Sequence, residues 1–294
     1  MALLGIQAFI EGLLIGSVYA VAAVGLSLAF GVMRIINWAQ GEMLMISMFV
    51  SYFLISVTNW NPYLIMFISF AIMFLVGYLL QKTVLTTLIT RSEEREPISV
   101  LLFTSGLGML LSNGVMILIG SNPFTAQTKF TGMTLHVGEL FISVPKIIAF
   151  VIALISTISL YLFLQKSEIG IAIRATSQNR VVATLMGIDQ KKIYNLSFAL
   201  SVGLVGIAGA ILIPYYPVSY SIGTTFSFRS FVVVVLGGKG SILGALFGGL
   251  IIGVLEKVIE QFLSPTYAQL IVFLLFVFML VFKPNGLMGE RDTH

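Results

Sequence analysis

The chain has 294 residues, 58% of them hydrophobic and only 10% charged, whereas soluble domains carry roughly 25% charged residues. So few charges cannot cover a water-soluble globule of this length. The formal net charge of +4 is therefore a record of which loops stay in the cytoplasm rather than a nucleic-acid surface, and the lack of cysteine excludes a disulfide framework, a thiolate metal site and a thiol nucleophile.

Apolar runs long enough to cross a hydrocarbon core of about 30 Å as helices recur from end to end. They are continuously apolar, where barrel strands would alternate over about 10 residues, so the fold expected is an all-α polytopic membrane protein forming a single transmembrane domain over residues 1–294. Residues 1–7 lack the basic start of a cleaved signal, and the first helix is expected to be retained. Eight segments read as full crossings: 6–26, 41–57, 63–82, 98–119, 146–164, 193–213, 242–262 and 267–282. Two further apolar stretches, 28–38 and 226–236, are short and abut glycines or polar residues, as broken or re-entrant segments lining a cavity do.

Lys82, Arg91 and Arg95 place one loop in the cytoplasm, and Lys166, Arg174, Arg180, Lys191 and Lys192 place another there, which leaves 120–145 outside. Lys283 and Arg291 draw the C-terminal tail inward. That pattern needs 226–236 to count as a short crossing. Counting 28–38 as well gives ten passes, and the side of the N-terminus stays open. Small residues recur at four-residue spacing, Gly12, Gly16 and Ala20 in the first helix and Gly240, Gly244 and Gly248 in the seventh. Such rows, with Gly237 and Gly238 nearby, let helix backbones approach closely within a bundle or between subunits.

Three constellations could carry chemistry. FVVVVLGGKGS, residues 231–241, looks like a phosphate-binding loop but fails its pattern: Lys239 is followed by Gly240 where a magnesium-holding Ser or Thr belongs, and Val233 occupies the place of the first glycine. If ATP drives this protein, another chain hydrolyses it. The second is GVMRIINWAQGE, residues 31–42, in which Arg34, Asn37, Gln40 and Glu42 interrupt apolar sequence. Ionisable residues at membrane depth are costly, so they usually face a cavity or pair with one another, and the two amides fit a pathway wall better than an interface. Arg34 and Glu42 also fit a membrane-water interface with Trp38 as an aromatic anchor. Asn37 and Gln40, three residues apart, could share a helical face and exchange hydrogen bonds with a passing solute.

The third is the cytoplasmic loop 166–192, whose five basic and two acidic residues give it a charge of +3. Its middle reads as a short amphipathic helix with Ser177 as N-cap, Val181, Val182, Leu185 and Met186 as an apolar face, and Gly187 as C-cap glycine before Ile188. Asp189 then caps the next membrane helix. Composition leaves lying on lipid headgroups and docking onto a partner equally open. Elsewhere the chemistry is thin. His136 and His294 lie far apart in sequence, so no metal site, cofactor or catalytic set is read. Glu93, Glu94 and Glu96 with Arg91 and Arg95, and Glu256 with Lys257 and Glu260, read as surface charge. A stand-alone secondary transporter would want intramembrane acids and a membrane enzyme a convergent nucleophile or metal set, and neither is visible.

The whole chain resembles the branched-chain amino-acid ABC permease family, specifically its LivH-type subunit. The likeness is carried in order by GLLIGSVYAVAAVGLSLAFGV, INWAQGE at 36–42, GIAIRATSQNRVVATLMGI at 170–188, VVVVLGGKGSILGALFGGLIIGVLE at 232–256 and KPNGLMG at 283–289. Trp38 and Gln40 depart from the family's usual INFAHGE, so a proton-handling role at that histidine position is not carried over. The resemblance implies a transmembrane permease domain in the plasma (inner) membrane of a prokaryote, importing leucine, isoleucine and valine. Related permeases carry urea or short amides, which is the alternative substrate class. It also implies that Gly170, Arg174, Ala175, Gln178, Asn179, Val182, Ala183, Leu185, Gly187 and Ile188 couple to cytoplasmic ATPase subunits. A homologous LivM-type permease and an external substrate-binding protein would complete the assembly.

Overall fold

The computed structural model describes residues 2–91 and 96–289, so Arg95, Glu93, Glu94, Arg291 and His294 lie outside the described residues. Among the described residues, eight helices are long and apolar enough to cross a membrane, and they match the eight crossings expected from the sequence, the sixth ending one residue earlier, at Leu212. The protein is a multi-pass helical membrane protein. One small hairpin, β1 (Thr134–Val137) against β2 (Leu140–Ser143), with Thr134 opposite Ser143, decorates the loop before α6 (Val144–Lys166).

The first helix, α1 (Ala2–Met33), has 32 residues and is about 48 Å long. It absorbs the first part of the stretch 28–38, which is therefore not a separate segment. Gly25 and Gly31, which weaken the local helix signal, are instead points of close approach. A Cβ on Gly25 would lie 2.6 Å from the Ser201 carbonyl oxygen, and one on Gly31 2.9 Å from the Gly240 Cα. The helix ends at Arg34, a non-glycine residue in the left-handed region with φ 55°, whose N–H still bonds the Phe30 carbonyl at 2.8 Å. Residues 34–39 then form an irregular link to α2 (Gln40–Thr58).

From α3 (Pro62–Leu80) the chain passes through a π-helical turn, Gln81–Leu85, into α4 (Thr86–Arg91), and α5 (Glu96–Ile119) returns. Beyond α6 come α7 (Glu168–Gln178), α8 (Arg180–Leu185) and α9 (Gln190–Leu212). The remaining helices are α10 (Ile222–Gly237), α11 (Ile242–Phe262) and α12 (Pro265–Phe282). The stretch 226–236 is thus part of a regular helix of 16 residues, about 24 Å long.

Two contacts fix the ends of the bundle. Lys146, at the start of α6, lies 3.3 Å from Glu11 near the start of α1. Arg180, in the basic loop, donates through Nη2 to the Met33 carbonyl at the other end of α1. The concentration of Lys and Arg makes the second end cytoplasmic. Among the described residues, counting α10 as a short crossing gives nine passes, which puts the start of α1 on the outer side.

α1 and α9 are buried over most of their length, while α3, α5, α6 and α12 turn apolar faces outward. Bare backbone makes that centre compact. A Cβ on Gly12 would meet the Val254 Cα at 2.4 Å, and one on Gly16 the Gly249 carbonyl oxygen at 2.7 Å. In α11, Gly249 and Gly253 face α1, whereas Gly244 and Gly248 face Gly237 and Val233 of α10. These rows hold helices of this one chain together. KPNGLMG also acquires a structural part: Leu287 and Met288 N–H groups bond the Leu236 and Gly237 carbonyls at 2.8 and 2.9 Å. They satisfy acceptors at the end of α10 that the helix itself leaves free.

Candidate translocation and coupling sites

Around the break after α1, the four polar residues separate into two groups. Arg34 is exposed, while Asn37, Gln40 and Glu42 are buried. Asn37 precedes α2 rather than sharing a helical face with Gln40, and the two amides bond each other: Asn37 Nδ2 donates to Gln40 Oε1 at 3.0 Å. Asn37 Oδ1 accepts the Ala39 N–H at 3.2 Å, which turns the chain into α2. Gln40 Nε2 faces the Ala22 carbonyl and Ser201 Oγ, both at 3.4 Å, and so ties α2 to α1 and α9. In this conformation both amides are committed to protein partners.

Glu42 is held from another direction. Ser227 of α10 lies with its Oγ 2.7 Å from Glu42 Oε2 and 3.0 Å from the Trp38 carbonyl, and it accepts the Gly41 N–H at 2.9 Å. Its single proton serves one of the two acceptors at a time. Gly41 permits this approach, because a Cβ there would sit 2.1 Å from the Gly223 carbonyl oxygen. Trp38 is partly exposed and packs on Phe231 with ring centroids 5.4 Å apart, and its N–H bonds Thr104 Oγ1 of α5 at 3.2 Å. The break is thus fastened to α10 and α5.

The cytoplasmic loop holds two helices rather than one. Ser167 caps α7 by accepting the Gly170 N–H at 2.9 Å, and Gly170 is pressed on α6, where a Cβ would lie 2.3 Å from the Phe163 carbonyl oxygen. Ser177 is not an N-cap: its Oγ donates to the Arg174 carbonyl at 2.8 Å within α7. Asn179 caps α8 instead, accepting the Val182 N–H at 3.1 Å from an extended backbone. Gly187 has φ 85°, and the Ile188 N–H reaches the Ala183 carbonyl at 3.1 Å, which closes α8. Asp189 caps α9 through the Lys191 and Lys192 N–H groups at 3.0 and 3.3 Å.

Between those caps, Val181, Val182, Leu185 and Met186 are all exposed, Leu185 at 80%. Arg174, Gln178, Asn179 and Gly187 are exposed too, Ala175 and Ile188 are half-buried, and Gly170 and Ala183 are buried supports. Sequence reasoning missed Arg180. Besides bonding Met33, it lies 5.6 Å from the centroid of the Tyr194 ring, and its own carbonyl accepts from Gln190 Nε2 at 2.8 Å. No local pattern distinguishes it from the loop's other cations.

Glu256 is not a surface charge. It is buried and paired with Arg229 of α10, which donates through Nε at 3.1 Å and also through Nη2, while Lys257 and Glu260 pair with each other nearby. The available signal was Arg229 itself, a cation inside an apolar run. Lys239 sits in the turn between α10 and α11 over the Phe30 ring, 5.7 Å from its centroid, and the start of α11 that follows is capped by its own Ser241, which accepts the Gly244 N–H at 3.0 Å. Among the described residues, no group of three or more His, Asp or Glu side chains could hold a metal.

A family model described as the permease component of branched-chain amino acid transport systems matches residues 8–280. The chain belongs to that family. It is 29% identical to the high-affinity branched-chain amino acid transport system permease protein LivH of Salmonella typhimurium, covering 98% of this chain and 96% of that one. Identity to the corresponding permease BraD of Pseudomonas aeruginosa is also 29%, over 98% and 97% of the two chains. The probable LivH of Methanocaldococcus jannaschii is 30% identical over 97% and 93%. No solved structure matches significantly. Like these relatives, the permease described above is a transport component of the membrane, and its polar break and its capped cytoplasmic helices lie inside the matched region.

Proposed function

We propose that this permease is a transmembrane subunit of an ATP-driven importer of branched-chain amino acids in the plasma (inner) membrane. It hydrolyses no ATP itself. Cytoplasmic ABC ATPase subunits dock on α7 and α8, a homologous LivM-type permease completes the membrane unit, and an external binding protein delivers the substrate. The observation that carries this reading is α8. A six-residue helix capped at both ends that, with the Met186 following it, exposes four apolar side chains at the cytoplasmic end is a rigid knob suited to a groove on another protein. Substrate chemistry rests on the relatives, all three named for branched-chain amino acids.

On this reading the segment from Arg34 to Glu42 belongs to the wall of the pathway. Arg34 and Trp38 face outward from the chain, toward the place of a second subunit, and Asn37, Gln40 and Glu42 act as a latch whose bonds exchange as the pathway opens. The deciding experiment is copurification from native membranes followed by leucine uptake into proteoliposomes with binding protein outside and ATP inside. Companion ATPase and permease chains together with ATP-dependent uptake are expected. Uptake that needs no ATPase, or a chain that purifies alone and remains active, would overturn the proposal.

A further inference from the structure

Between α10, α11 and α12 lies a cavity of about 170 Å³, large enough to admit several water molecules. Thr224 and Thr225 of α10 and Gln269 of α12 line it near the outer end where both helices begin, Thr224 and Gln269 being exposed. Arg229, at the middle of α10, and Glu256, six residues before the end of α11, also line it, and Phe228 and Val272 supply apolar wall. The guanidinium uses Nε and Nη2 on Glu256, and Nη1 is buried with no hydrogen-bond partner. The Tyr19 ring of α1, its centroid 5.1 Å from Arg229 Cζ, covers another side.

An ion pair at this depth is costly to desolvate, and a packed apolar pair of similar volume would hold the helices at least as well. What apolar residues cannot supply is a donor and an acceptor of opposite charge side by side. A simple anion would bring a second negative charge against Glu256. A molecule carrying both charges meets Arg229 with its carboxylate and Glu256 with its ammonium, and no net charge enters the membrane.

Building on the reading as an amino-acid importer, we propose that this cavity is a transit site for the head group of an α-amino acid, with Arg229 binding the carboxylate, Glu256 the ammonium, and Phe228 with Val272 the aliphatic side chain. The test measures equilibrium binding of labelled leucine to the complex purified from native membranes without its binding protein. Leucine competes in the wild type, whereas leucinamide, lacking the carboxylate, and 4-methylpentanoate, lacking the ammonium, compete at least about tenfold less well. Arg229→Lys keeps the charge but loses the fork, and it weakens leucine binding roughly tenfold to a hundredfold, the worth of a hydrogen bond to a charged group.

Equal competition by leucinamide would overturn the site, as would wild-type leucine affinity in an assembled Arg229→Lys complex. If that variant does not assemble, the competition series on the wild-type complex decides. A wild-type complex that imports leucine yet binds none without its binding protein overturns the site and leaves the importer reading standing. One that imports no leucine overturns both.

Discussion

Replacing Val182 and Leu185 together by Ser tests the docking surface with little risk to the fold, because the side chains touch little of their own chain. Val182 is 51% and Leu185 80% exposed. Full burial of an aliphatic side chain contributes about 1.5–3 kcal/mol, so covering the exposed fractions of both contributes about 2–4 kcal/mol, a thirtyfold to nearly thousandfold change in association. The Asn179 cap, the Gly187 closure and the Arg180 tether are untouched, so membrane insertion and the yield of monomer remain those of the wild type. The assay is recovery of the ATPase chains with a tagged permease, followed by titration of purified ATPase onto permease in nanodiscs. Undiminished recovery and unchanged affinity in the double variant would refute docking through α8 and leave its apolar face to lipid headgroups.

Arg180→Ala removes the bond to Met33 while leaving the exposed face of α8 in place, so ATPase association is retained and the ratio of solute imported to ATP hydrolysed falls; an unchanged ratio counts against a mechanical role. Asn37→Leu leaves Gln40 Oε1 and the Ala39 N–H buried without their present partner, at about 1–3 kcal/mol each. Its thermal midpoint in detergent is lower, and uptake into proteoliposomes slows roughly tenfold to a hundredfold; wild-type values for both would remove Asn37 from the latch. Lys239→Ala leaves nucleotide affinity of the assembled complex unchanged, because Gly240 stands where a magnesium-holding hydroxyl belongs and the following helix start is capped by Ser241, and nucleotide crosslinking to this chain that is lost in the variant would contradict this.

Eight crossings were legible because their signal is bulk hydrophobicity over a bilayer's thickness, which needs no partner to interpret. Caps were legible where the signal is local, as at Asp189 and at Gly187 with its positive φ. Ser177 and Asn179 are both good capping types two residues apart, and only the extended backbone at Asn179, φ −150° and ψ 108°, decides between them. The continuity of α1 was not legible. Glycine reads locally as a helix weakness, and its value at positions 25 and 31 comes from Ser201 and Gly240, distant in sequence. Glu256 was misread for a similar reason: its sequence neighbours Lys257 and Glu260 pair with each other, while its own partner, Arg229, lies on another helix.

The contacts join the cytoplasmic helices to the interior without a gap. α8 is tied through Arg180 to the last turn of α1, and that turn runs into a break whose second half is held by Ser227 of α10. Two residues beyond Ser227 on the same helix is Arg229, facing Glu256 of α11. On the proposed docking of a partner, displacement of α8 would reach the break by pulling on one helix end. Because Arg34 lies in an unfavourable backbone region and Ser227 can donate its proton either to Glu42 or to Trp38, the break has a second hydrogen-bond arrangement available without breaking a helix ladder. Spatial continuity alone does not establish coupling; what makes it mechanical is a discrete element with two arrangements, biased from one side by docking and from the other by solute. In the proposed mechanism the break is that element. Its neighbours α1 and α9 are packed through bare backbone, so the proposed mechanism assigns the motion to α10 and the segment from Arg34 to Ala39, where the polar bonds can be remade.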